Sequence, residues 1–154
     1  MSKTLVLYFS MTGNTKRVAQ KIAHRLQADT YEIQAQVPYS QADLTWTNDT
    51  CRANQEQNDP KSRPAFAGSL PDLSGYDTII IGHPIWWGIP PRIIQTVLDK
   101  LNLTGKTIAS FATSGGSIYA QSQELLTQEV GKNLLPGRVL SSDASIASWL
   151  QTWA

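Results

Sequence analysis

Apolar residues fall into short uninterrupted runs, separated by stretches in which they recur every three or four positions. Runs at Thr4–Phe9, 78–83 and Thr107–Thr113, with a weaker one at 138–142, predict strands covered on both faces, as inside a parallel sheet. Residues 30–34 alternate polar and apolar and predict an edge strand. Val18, Ile22 and Leu26 are spaced by four, with Lys16, Arg17, Gln20, Lys21, His24 and Arg25 between them. That pattern predicts an amphipathic helix whose basic face is solvated. Ile93, Val97 and Leu101, beside Ile94 and Leu98, predict a second helix opening at Pro90 and Pro91. Leu125, Leu126 and Val130 mark a third over 121–130. Ile146, Trp149, Leu150 and Trp153 predict a short closing helix behind a Ser145 cap, with both tryptophans in the core.

Strands alternating with helices imply right-handed βαβ units and an open, doubly wound α/β sheet. The interruption is 35–77, which carries Pro38, Pro60, Pro64 and Pro71 and only a faint helical pattern over 43–58. So long a connection should hold one helix followed by an irregular strap. Nothing marks a second domain, so residues 1–154 are expected to form one unit.

Composition narrows the function classes. With 13 Lys+Arg against 12 Asp+Glu, the chain has no basic stripe for nucleic acid and no field for an anionic membrane. Its longest apolar runs are too short to span a bilayer. Cys51 has no partner for a disulfide, and one cysteine with two distant histidines is too poor a set for zinc. A cytoplasmic protein with a small-molecule ligand is expected.

Three strings follow predicted strands at their carboxyl ends, where open α/β sheets bind ligands. In the first, Ser10, Thr12, Gly13, Asn14 and Thr15 open the first helix. Their hydroxyls, amide and backbone N–H groups suit an anion, with no cationic residue required. The same residue types also serve ordinary helix capping. In the second, Pro84, Ile85, Trp86, Trp87 and Gly88 precede Pro90 and Pro91. Two adjacent tryptophans cannot both enter one core from an extended loop, so at least one should lie at the surface or on a planar ligand. The third, Thr113, Ser114, Gly115, Gly116 and Ser117 with Tyr119 close behind, could hydrogen-bond the polar edge of a heterocycle, although paired glycines are common in turns. His83 has no acid or nucleophile beside it and reads as a packed histidine.

Other phosphate motifs fail. Gly105-Lys106-Thr107 ends like a Walker loop, but Lys100 holds the place of its first glycine and a strand follows. A thiolate phosphatase would need arginine six residues past Cys51, where Gln57 stands.

Together the S-x-T-G-N-T, P-I-W-W-G and T-S-G-G-S strings resemble the flavodoxin-like FMN-binding family, in its Trp-Trp-Gly branch, over nearly the whole chain. The resemblance implies a three-layer sandwich with a five-stranded parallel sheet of order 2-1-3-4-5 and non-covalently bound FMN. It places Ser10, Thr12, Gly13, Asn14 and Thr15 on the phosphate. Pro84, Ile85, Trp86, Trp87 and Gly88 then flank the isoalloxazine, and 113–117 its pyrimidine edge, with Tyr119 a ring neighbour. The implied function is electron transfer to a redox partner protein. The alternative is an FMN-dependent NAD(P)H oxidoreductase acting on a small-molecule acceptor such as a quinone or nitro compound. Carrier flavodoxins are strongly acidic, whereas this chain is neutral, and even 38–77 has only six acids against three bases. The short terminal helix would leave sheet for a homodimer partner to cover.

Overall fold

The computed structural model describes residues 3–154 apart from Trp46 and Gly115. Its five strands are β1 (Thr4–Phe9), β2 (Asp29–Ile33), β3 (Thr78–Pro84), β4 (Thr107–Thr113) and β5 (Arg138–Val139). They form one parallel sheet in the order β2-β1-β3-β4-β5, as the resemblance implied. The helices are α1 (Asn14–Leu26), α2 (Arg52–Gln57), α3 (Arg92–Lys100), α4 (Ala120–Val130) and α5 (Asp143–Trp153).

Alternation along each central strand divides the core in two. Leu5, Leu7, Phe9, Ile79 and Ile81 pack on one face against Ile93, Ile94, Val97 and Leu98 of α3 and Leu126 of α4. Val6, Tyr8, Ile80 and Phe111 pack on the other against Val18 and Ile22 of α1 and Ile146, Trp149 and Leu150 of α5. Both faces of β1 and β3 are therefore dry, which is why their sequences read as continuous apolar runs.

Some boundaries differ from expectation. β5 covers only two of the five residues expected; Leu140 N–H still donates to Ala112 O at 2.8 Å while its side chain enters the core beneath α5, and Ser141 and Ser142 turn away into the cap of α5. The cap of α5 is Ser142, whose side chain accepts from the Ser145 N–H while the Ser145 hydroxyl accepts from the Ser142 N–H. Ser145 is thus the third helical residue of a reciprocal capping box rather than the cap itself. Trp149 is fully buried, whereas Trp153 is only half-buried and stacks edge-on against it.

The faint helix over 43–58 resolves into one 3-10 turn, Ala42–Leu44, and the short α2. Cys51 caps α2 by accepting from the Asn54 N–H at 3.4 Å, and is buried. An antiparallel bridge between Ala35 and Phe66 closes the base of this excursion, with Ala67 N–H donating to Gln34 O at 2.7 Å. The excursion is held over the carboxyl ends of β1 and β3, where Tyr39 meets the rings of Phe9 and Trp86.

Candidate functional site

The parallel ladders bring the turns after β1, β3 and β4 together. Two cavities lie there, sharing Thr12, Pro84, Ile85 and Trp86 as a common wall. The larger, about 430 Å³, is completed by Met11, Thr15, Leu44 and Trp87 and is mostly apolar. The smaller, about 330 Å³, is completed by Asn14, Arg17, Thr113, Ser114, Leu140 and Ser141 and is mixed in polarity. Both sizes fall within the range of small-ligand sites.

In the turn after β1, Gly13 adopts φ 89° and makes no side-chain cap on α1. That left-handed conformation favours glycine, which carries no Cβ to clash. Ser10 instead reaches forward, its Oγ accepting the Lys16 N–H at 3.2 Å. Its hydroxyl proton stays free to donate. The Thr15 and Thr113 hydroxyls pair at 2.7 Å in a buried contact that fastens the start of α1 to the end of β4. Thr15 is therefore a tie between α1 and β4 as well as part of the wall.

Arg17 departs from the expectation that the basic face of α1 is simply solvated, because it lines the smaller cavity beside Asn14. Sequence periodicity places Arg17 on the polar face of α1; it cannot show that this turn of the helix borders the crevice. Met11, Leu44, Leu140 and Ser141 also line the crevice without a sequence motif that marks them. Met11 stood inside the first string, but nothing local to Leu44 indicates that the excursion carries it over the crevice.

The aromatic string divides its tryptophans between two environments. Trp86 packs edge-on against Phe9 and Tyr39, at 6.0 and 5.3 Å between ring centroids. Trp87 is 42 % exposed and stands at the edge of the larger cavity. Beneath Trp86, the Tyr39 hydroxyl donates to Glu56, and the Arg52 guanidinium lies 3.8 Å from the Tyr39 ring centre. Burial and the Glu56 carboxylate push the Tyr39 phenol well above its ordinary pKa, so it stays protonated.

His83 is the packed histidine its neighbours suggested. It is fully buried, its ring stacks on Tyr119, and Nδ1–H donates to Pro84 O at 2.8 Å, a carbonyl that can only accept. Burial pushes its pKa down to about 4, against a smaller upward pull from that hydrogen bond. It thereby fixes the backbone at the first residue of the aromatic string.

The turn after β4 is folded on itself. Ser114 Oγ accepts the N–H groups of Gly116 and Ser117 at 3.2 and 2.9 Å, so these two amides face inward rather than toward a ligand. Gly116 and Ser117 line neither cavity; Gly115 lies outside the described residues. Tyr119 also lines neither, being buried with its hydroxyl donating to Ser110 Oγ at 2.6 Å. Of this string, Thr113 and Ser114 reach the crevice wall.

Among the described residues no helix is long and apolar enough to cross a membrane. Known proteins share the architecture and much of the sequence. A crystal structure from Bacteroides eggerthii DSM 20697, provisionally named a flavoprotein, is 42 % identical, with a TM-score of 0.93 over 99 % of this chain and 98 % of that one. A flavoprotein from Lactobacillus acidophilus NCFM, crystallised in complex with FMN, is 28 % identical, with a TM-score of 0.73 over 97 % and 99 % of the two chains. An NAD(P)H dehydrogenase (quinone) of Gluconacetobacter diazotrophicus is 28 % identical over 92 % of this chain and 70 % of its own. The Flavodoxin family model matches residues 3–153, and the chain belongs to the flavodoxin family.

Proposed function

We propose that this flavodoxin transfers electrons through a non-covalently held FMN seated in the crevice between the turns after β1, β3 and β4. The observation that carries the reading is the pairing of two unlike cavities along one wall. One is bordered by the start of α1, where Ser10 takes up the Lys16 N–H, with Thr12, Asn14 and Arg17; the other is bordered by Trp86, Trp87, Met11 and Leu44. The first has the donors and charge for a phosphate, and the second the flat apolar walls for a fused ring. FMN has both parts, and the donor chemistry fits it.

When bound, the flavin supplies the one- and two-electron chemistry. The chain's own residues do the rest. The Thr12 hydroxyl, the Asn14 amide and α1 N–H groups would orient the phosphate, while Arg17 offsets part of its charge; Ser10 lines neither cavity and braces the turn through the Lys16 N–H. Trp87 and Pro84 border the ring and limit water at it. The Thr15–Thr113 pair keeps the turns at the spacing the ligand requires.

A second reading has one specific observation in its favour. The larger cavity is open and apolar, and Leu44 and Met11 leave a surface on which a flat acceptor could lie. With near-neutral charge, and with a quinone dehydrogenase among the relatives, this supports an FMN-dependent NAD(P)H oxidoreductase for quinones or nitro compounds. The test is the absorption spectrum of purified protein supplied with FMN, followed by NADPH without air. A yellow protein that NADPH leaves unchanged is the expected carrier, and bleaching by NADPH alone establishes the oxidoreductase instead. A protein that takes up no flavin overturns both readings.

A further inference from the structure

Trp87 has φ 55° and Gly88 φ 86°, and the flanking residues pair reciprocally, Trp86 N–H to Ile89 O at 2.9 Å and Ile89 N–H to Trp86 O at 3.3 Å. Two consecutive positive φ values in a two-residue connection are the pattern of a type I′ turn, which favours Asn, Asp or Gly at its first position. A tryptophan there is strained, and its side chain is 42 % exposed, so burial returns little of the cost.

The restraint comes from residues distant in sequence. Gln57, at the end of α2, is 5 % exposed and spends its side-chain amide on the backbone of this turn and of the first residue of α3. Nε2 donates to Trp86 O at 2.9 Å and to Pro90 O at 3.0 Å, and Oε1 accepts the Arg92 N–H at 3.1 Å. The orientation of the amide is unambiguous, because a flip would set its oxygen against two carbonyl oxygens. Arg92 returns the contact, its guanidinium donating to Gln57 O at 2.8 Å and Glu56 O at 3.3 Å. Gln57 lines neither cavity.

We propose that Gln57 is a positioning residue that clamps both ends of the 86–90 turn, holds Trp87 in its left-handed conformation, and thereby presents the indole to the flavin ring. The proposal rests on the flavin reading above. Gln57 then acts on ring binding and leaves phosphate binding alone.

The experiment uses the whole chain in four forms: wild type, Gln57→Met, Trp87→Ala and the double variant. Methionine keeps the side-chain length and removes the hydrogen bonds. FMN and riboflavin affinities are read together with the quenching of bound-flavin fluorescence. Gln57→Met should weaken both flavins by a similar factor, about tenfold, and reduce quenching. In the Trp87→Ala background the same change should cost less than about threefold. Equal losses in both backgrounds would show a role in general stability, and no loss in either would remove the role altogether; both overturn the proposal.

Amide exchange in the flavin-free protein gives an independent measure. Faster exchange at Ile89 and Arg92 with α1 unchanged supports the clamp, and uniform or absent change overturns it. If Gln57→Met does not fold, Gln57→Asn keeps the amide without its reach and is read by the same criteria. Wild type that binds neither flavin defeats the reading of the crevice, and the clamp is then decided by exchange alone.

Discussion

The two ends of the crevice are built in opposite ways. The turn after β1 is shaped by consecutive residues, with Ser10 accepting from Lys16 and Gly13 starting α1, and the Thr15–Thr113 hydroxyl pair then ties it to β4. The aromatic turn after β3 is set from afar, by Gln57 and Arg92 at its base and by Ser122, whose hydroxyl donates to Gly88 O at 3.2 Å. Backbone geometry suffices to form an anion cradle, because oriented N–H groups come with any helix start. A tryptophan in a left-handed turn needs tertiary restraint, because its local preference runs against it.

The largest expected effect tests the aromatic end through His83. In the folded chain its pKa is pushed down to about 4, against an ordinary 6.5, so between those values the unfolded chain binds a proton that the folded chain does not. Stability should be complete above about pH 6.5 and fall as the pH drops toward 4, by about 3 kcal/mol at most. Urea denaturation at pH 7 and pH 4.5 measures it, and a His83→Gln variant should show a clearly smaller loss. An equal loss in the variant would assign the acid sensitivity to other groups.

Next comes the phosphate end. Thr12→Val should weaken FMN by about 1.5–3 kcal/mol, the value of a hydrogen bond to a charged group, and leave riboflavin nearly unaffected. Titrations of the two flavins separate the outcomes. Equal losses would reduce the turn after β1 to a helix cap and erase the contrast between the two ends.

Trp87→Asn is a sharper test of the strain. Asn-Gly is a favoured pair for this turn, so the flavin-free protein should gain about 1 kcal/mol, the lower end of the left-handed cost. Flavin quenching should fall in the same variant. If Trp86→Ala restores flavin fluorescence and Trp87→Asn does not, the inner indole is the ring's neighbour and the outer one merely covers an edge.

Arg17→Gln should have the smallest effect. A partly solvated cation beside the phosphate contributes about 0.5–1 kcal/mol, so FMN affinity should drop by that amount and lose part of its salt dependence. Titrations at low and high salt measure it. An unchanged salt dependence would return Arg17 to the solvated face of α1.

What could be read from residue order was whatever is carried locally. Continuous apolar runs identified β1, β3 and β4, because strands dry on both faces have no solvent-facing row to fill with polar residues. Four-residue spacing identified α1 and α3, and the Ser-Thr-Gly-Asn-Thr turn marked the start of α1 in six consecutive positions. His83 also read correctly, because no polar partner stood near it. The resemblance supplied the strand order, which local pattern alone does not give.

Tertiary structure decided the remainder. In the sequence Gln57 stands out only as a position that is not arginine, yet its side chain donates to a carbonyl 29 positions away. Leu44 reaches the larger cavity because the 35–66 bridge folds the excursion back over the crevice. Tyr119 and Ser117 stand in the expected string, but the first packs on His83 and the second donates its N–H to Ser114, so neither borders a cavity. Spacing along a chain carries the direction of side chains within one helix or strand. Which loop lies over which, and which buried amide faces which carbonyl, depends on contacts between segments far apart, and these exist only once the sheet has brought them together.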